Sequence, residues 1–138
     1  MEDGLDERFS STTDQAVDEV IFLSRHYAAS GRPSLTLHVL GVPGEYPHGE
    51  RAEHGGIKGK VMLPNPRFAS WYRLMCDAAH RHELVPEFEL TIETTHHGPC
   101  LEVPTMFIEI GSSETHWGRV DAAEAWACLL YTSDAADE

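Results

Sequence analysis

The sequence predicts an α/β fold in which a mixed β-sheet is flanked by helices. Three observations predict it. Short apolar segments with strand character recur near residues 20–23, 35–40, 88–93 and 105–110. A strongly amphipathic stretch lies between the second and third of them, and a hydroxyl-rich junction opens another helical stretch after the fourth. Strands and helices that alternate in this way build layered α/β domains.

Residues 1–14 are acidic and polar, with Ser10, Ser11, Thr12 and Thr13 clustered, and read as a disordered or loosely attached leader. The run Val20-Ile21-Phe22-Leu23 is short, continuous and rich in β-branched residues, which favours a strand buried on both faces. Leu35, Leu37 and Val39 alternate with Thr36, His38 and Leu40, giving a second strand with a more polar face. Residues 41–60 hold six glycines and no period. Long glycine-rich loops in small domains are more often functional than idle. Asn65-Pro66 is a helix start, and Phe68, Trp71, Tyr72, Met75, Ala78 and Ala79 follow at helical spacing over 66–83. Phe88, Leu90 and Ile92 alternate with Glu89, Thr91 and Glu93. Met106, Ile108 and Ile110 alternate with Thr105, Phe107 and Glu109. Ser112-Ser113-Glu114 then opens a helix expected to reach about Leu130. The segment 129–138 resembles nothing before it and reads as a non-native tail. A single domain is expected over 15–128.

The bulk properties narrow the function. The 138 residues carry a net charge of −13, and only two of the ten basic residues are lysines. Such a surface suits a soluble acidic protein or one adapted to high salt, and argues against broad nucleic-acid binding. Three widely spaced cysteines without a CxxC pair argue against a disulfide framework and a cysteine zinc site, and fit a reducing cytoplasm. No apolar run approaches the ~20 residues of a membrane helix.

The densest chemistry lies in Glu93–Ser112. His96 and His97 precede the Gly98-Pro99 turn at the carboxyl end of the third strand, where open α/β sheets tend to bind ligands. Adjacent side chains on an extended chain face opposite ways unless the backbone turns. The pair therefore reads either as one buried and one surface imidazole, or as an acid/base or metal-ligating pair. Glu109 reads either as a solvent-facing carboxylate or as one paired with a cation, a histidine or a metal. Gly111-Ser112 joins a strand to a helix start, where backbone N–H groups can meet an anion. His38, His96, His97 and Glu109 are zinc-ligand types, but their spacing matches no compact zinc signature.

Several blocks together carry a resemblance. Ser24-Arg25-His26, Ala29-Ser30-Gly31 and Leu35-Thr36-Leu37-His38 resemble the opening block of the archaeal and plant type of D-aminoacyl-tRNA deacylase. Thr95-His96-His97-Gly98-Pro99, Glu102-Val103-Pro104, and Phe107 through Glu114 with Trp117 resemble its central signature. His54-Gly55-Gly56 is similar to a Tyr-Gly-Gly element of that family. Members are longer, so the chain reads as a central part of a longer protein with an incomplete fold. The resemblance implies a phosphorylase- or peptidyl-tRNA-hydrolase-like α/β fold. It also implies hydrolysis of the ester between a D-amino acid and the tRNA 3′ end, and zinc as cofactor. On that basis His96 or His97 is expected to activate water, directly or through a metal, with His38 and Glu109 as orienting partners or ligands. His38, His96 and His97 are the expected metal ligands. Substrate contacts are expected at Arg25, His26, Gly98, Gly111, Ser112, Gly55 and Gly56. A metal-dependent peptidase or amidohydrolase of the same fold, or a non-catalytic fragment, are the rival readings.

Overall fold

A computed structural model describes residues 3–44 and 55–134. The elements are α1 (Leu5–Thr13), β1 (Val20–Arg25), β2 (Ser34–His38), α2 (Phe68–Arg81), β3 (Glu89–Ile92), β4 (Thr105–Gly111), α3 (Glu114–Trp117) and α4 (Val120–Asp134). The strands form a mixed four-stranded sheet in the order β1-β4-β2-β3. β2 and β3 pair in parallel, Ser34 opposite Glu89 and Leu37 opposite Ile92. β1 also runs parallel to β4: Val20 N–H donates to the Pro104 carbonyl, and His26 N–H donates to that of Ile110. The expected α/β class and all four strands are thus present.

The expected single domain resolves into two compact units. The first comprises Met1–Phe22, His38–Pro66 and Glu93–Phe107; the second comprises Leu23–Leu37, Arg67–Ile92 and Ile108–Glu138.

In the first unit, Leu40, Met62, Cys100 and Phe107 form a buried cluster with Phe22 packed against it. The Phe22 and Phe107 rings stack with centroids 4.6 Å apart. Residues 3–13 correct the expected disordered leader. Asp3 Oδ1 accepts from the Cys100 N–H at 2.7 Å, and Gly4 N–H donates to the Cys100 carbonyl. The buried Asp6 carboxylate accepts from the Glu102 N–H at 2.8 Å and the Val103 N–H at 3.3 Å. The hydroxyls of Ser11, Thr12 and Thr13 bond back to the carbonyls of Arg8 and Phe9. That satisfies locally the groups which made the cluster look unstructured. Asp6→Ala strands two backbone donors, so an unfolding free energy lower by about 2 kcal/mol is expected in chemical denaturation. An unchanged midpoint would show that α1 contributes nothing to the fold.

The second unit packs α2 against α4 and against β3. Trp71, Met75, Ala78 and Ala79 form the buried face of α2, as its spacing predicts. The helix begins at Phe68 rather than Pro66, with Arg67 at the N-cap making no side-chain bond. Asn65, expected to cap it, is buried and instead donates to Glu19 within the first unit. β2 has no exposed face: its polar residues Ser34, Thr36 and His38 are buried as fully as Leu35 and Leu37, as befits an interior strand.

The helix expected over 112–130 is two helices. α3 is a single turn ending at Gly118, and α4 restarts at Val120 with Asp121 in its first turn. Glycine costs about 1 kcal/mol inside a helix, and an acid near a helix start is favourable. Arg119 binds both Glu87 and Asp121, and its guanidinium holds both carboxyls below their usual range. Residues 129–134 are not set apart as the sequence suggested: α4 continues through them, and Leu129 is 1% exposed. Residues 135–138 lie outside the described residues, as does half of the glycine-rich loop, residues 45–54. No helix among the described residues is long and apolar enough to cross a membrane.

Candidate active site

In the first unit the structure brings His38, His96 and His97 together. One ring nitrogen from each lies within 4.8 Å of the others. His38 stacks on His96 at 4.2 Å between centroids and on Phe107 at 5.0 Å. His97 stands edge-on to His38, His96 and Phe107. An extended chain would have sent the adjacent imidazoles to opposite sides. His97 instead has a φ of 40°, which turns the backbone and leaves the two ring centroids 4.5 Å apart. Few residues other than glycine adopt this region, so the surrounding structure must hold it.

The holding contacts are visible. Residue His96 bridges in parallel to Leu40, just beyond β2, and Gly41 N–H donates to the His97 carbonyl at 2.7 Å. Gly98 N–H donates to the Gly55 carbonyl at 2.9 Å. Gly98 is packed so closely on Gly55 and Gly56 that a Cβ there would lie 2.2 Å from the Gly56 nitrogen. Gly56 N–H in turn donates to Asp3 at 3.4 Å. Gly55, Gly56 and Gly98, expected from the resemblance as substrate contacts, form a backbone crossing that supports the histidines. His54 lies outside the described residues.

Each imidazole is oriented through Nδ1. That atom is 3.1 Å from the Val39 carbonyl in His38, 2.6 Å from the Thr94 carbonyl in His96 and 2.6 Å from the Gly98 carbonyl in His97. A carbonyl oxygen only accepts, so Nδ1 carries the proton and the neutral ring keeps its lone pair at Nε2. Three such rings are suited to take up a proton or to ligate a divalent cation, with backbone carbonyls as the outer partners that fix the tautomer. Glu93 Oε2 lies 3.6 Å from His96 Nε2. Sequence reasoning missed this carboxylate, because strand alternation placed it on an ordinary polar face. Its three-residue spacing from His96 was the available signal.

The second unit holds the remaining candidates. Glu109 is 5% exposed, which excludes the solvent-facing alternative. Its Oε2 lies 3.6 Å from Nδ1 of His26, so the carboxylate expected as an orienting partner or ligand sits beside His26, a pair that is ionic only when the imidazole is protonated. Gly111 packs on His26 and Ser34: a Cβ there would fall 2.6 Å from Ser34 Oγ. Ser112 is buried, its hydroxyl 3.1 Å from that of Ser34. The helix after it is one turn long, so the anion-binding helix start expected at Gly111-Ser112 has little dipole behind it. Arg25 is exposed, its guanidinium 4.7 Å above the Trp117 ring.

A family model described as D-aminoacyl-tRNA deacylase matches residues 13–138. The chain is 52% identical over 130 residues to a D-aminoacyl-tRNA deacylase of Arabidopsis thaliana, covering 94% of this chain and 41% of that protein. It is 37% identical over 126 residues to one of Archaeoglobus fulgidus, covering 91% and 42%. The fold is also similar to the crystal structure of a conserved protein of unknown function, with a TM-score of 0.70 and 35% identity, over 86% of this chain and 39% of that one. The chain thus spans about two fifths of the length of these curated relatives. A match over nearly the whole chain, joined to histidine and glycine blocks that meet in space, fixes its kinship: the chain belongs to the D-aminoacyl-tRNA deacylase family.

Proposed function

We propose that this chain contributes to hydrolysis of the ester joining a D-amino acid to the 3′ end of tRNA, releasing the free D-amino acid and tRNA. Family membership supplies the reaction class. The observation that carries the chemistry is the set of three imidazoles, each with Nδ1 committed to a backbone carbonyl. Nε2 of His96 or His97 takes a proton from water as its oxygen attacks the ester carbonyl. The tetrahedral intermediate collapses by breaking the bond to the ribose oxygen, and the imidazolium returns the proton to that leaving oxygen. His38, buried against Phe107, positions both rings.

Zinc fits the donor set, since three neutral imidazoles with oriented Nε2 lone pairs are a common ligand group for it. His38, His96 and His97 would hold it. When bound, it would lower the pKa of a water and polarise a carbonyl, and with Nε2 engaged by the metal neither histidine would itself act as the base. High salt would ease the repulsion between a chain of net charge −13 and an anionic substrate.

Deacylation of D- against L-aminoacyl-tRNA, with and without chelator and at two salt concentrations, tests the reading. Release from the D ester, with the L ester spared, is expected, and chelator should slow it. Cleavage of small amides with indifference to D-aminoacyl-tRNA would replace it by a metal-dependent amidohydrolase.

A further inference from the structure

Along β1 the exposed residues alternate, with Leu23 65% exposed and Arg25 also open to solvent, and the alternation continues to Tyr27 at 74%. β1 is an edge strand of the sheet. Arg25 has no carboxylate partner among the described residues; its guanidinium lies over the Trp117 ring instead. The Trp117 indole N–H donates to the His26 carbonyl at 2.8 Å, which fixes the plane of the ring. Trp117 also lines an open cavity of about 330 Å³, together with Gly118, Val120, Ala123 and Glu124. Val120 there is 69% exposed. The other two tryptophans, Trp71 and Trp126, are 1% and 4% exposed and belong to the core.

A large, oriented aromatic ring with a cation on it, beside an apolar cavity of small-ligand size, matches the way single-stranded nucleic acid is held. Bases stack on aromatic side chains, and arginine meets the adjoining phosphate. Glu124 at the cavity adds an acceptor for an exocyclic amine, which cytosine and adenine carry. On a chain of net charge −13, one cation committed to a ring rather than to a carboxylate is what recognition of a short single-stranded end requires, without a broad basic face.

We propose that Trp117 stacks a base of the single-stranded CCA end of tRNA, with Arg25 on the phosphate next to it. The proposal rests on the deacylase reading for the identity of the nucleic acid, and its site lies wholly within the second unit.

Intrinsic tryptophan fluorescence tests it, because with Trp71 and Trp126 buried a stacked base quenches Trp117. The trinucleotide CCA should quench saturably, and an abasic trinucleotide with the same phosphates should not. Trp117→Ala should weaken CCA binding about tenfold or more by calorimetry. Arg25→Gln, on an exposed side chain that leaves the core intact, should weaken binding and lower its salt slope by about one. In deacylation assays both variants should raise KM at little change in kcat. The proposal falls if CCA fails to quench, if the abasic probe quenches equally, or if both variants bind as wild type. It also falls if quenching follows protein concentration alone, which would make a second copy the occupant. The two readings separate cleanly. Quenching by CCA without deacylation removes the deacylase reading and leaves the stacking site. Deacylation with wild-type KM in both variants removes the stacking site alone.

Discussion

Alanine at His96 or at His97 is expected to lower single-turnover deacylation of D-aminoacyl-tRNA by about 10²-fold or more, the usual contribution of a positioned general base. The expectation follows from geometry. Both rings donate through Nδ1 to carbonyls 2.6 Å away, which puts the accepting nitrogen of the neutral ring at Nε2, in His96 beside the Glu93 carboxylate. Neither ring belongs to the fully buried core, so truncation removes chemistry with modest loss of packing. His38 differs, being 0% exposed and stacked on Phe107. Truncating it would empty a packed site, and a rate loss there would mix two causes. The checks are the deacylation rate, the thermal midpoint and the zinc bound per chain in each variant. A lost rate with a wild-type midpoint assigns the histidine to the reaction. Wild-type rates in both variants would sink the assignment.

How far the site was legible in the sequence depends on the range of the interaction that builds each part. Strand alternation around Leu35–His38 and Met106–Ile110, and the apolar spacing of α2, are local signals, and they placed the sheet and its covering helix correctly. The histidine pair was visible as a pair. Its geometry was not, because the φ of 40° at His97 is imposed by a hydrogen bond donated by Gly41 N–H and one that Gly98 N–H donates to the Gly55 carbonyl, rather than by His97 itself. The same holds for α1, whose Asp6 is matched to backbone donors at Glu102 and Val103, nearly a hundred residues away. The break at Gly118 was the reverse case. A local signal, glycine, was present but was outweighed in the reading by the hydroxyl cap before it and the apolar residues after it. Glu109 shows the limit of alternation on a strand whose two faces are both covered: it faces away from Ile108 and is nevertheless 5% exposed, beside His26.

The backbone crossing under the histidines gives the second large expected effect. A Cβ placed on Gly98 would lie 2.2 Å from the Gly56 nitrogen, 2.5 Å from the Gly55 carbonyl carbon and 2.7 Å from the Gly56 Cα. All three are backbone atoms, so no rotamer change relieves the clash; one strand of the crossing must move. Gly56 is also tight from its own side, though less so: a Cβ there would meet the Val42 side chain at 2.9 Å and the Gly98 nitrogen at 3.0 Å. Gly98→Ala is therefore expected to cost about 3 kcal/mol or more in chemical denaturation, as overpacking without an escape route does. The matched comparison is Gly44→Ala, where nothing lies within 4 Å and φ is not positive. It should stay within about 0.5 kcal/mol of wild type. Activity should fall further than stability in Gly98→Ala. The Gly98 carbonyl is the acceptor that orients His97, and the Gly98 N–H is what ties the turn to Gly55. Displacing this residue releases the His97 ring as well as the chain. If Gly98→Ala unfolds at the wild-type midpoint and deacylates at the wild-type rate, the crossing does not set the register of the histidines. Their alignment would then rest on the bridge from Leu40 to His96 and on the Gly41 bond to His97 alone.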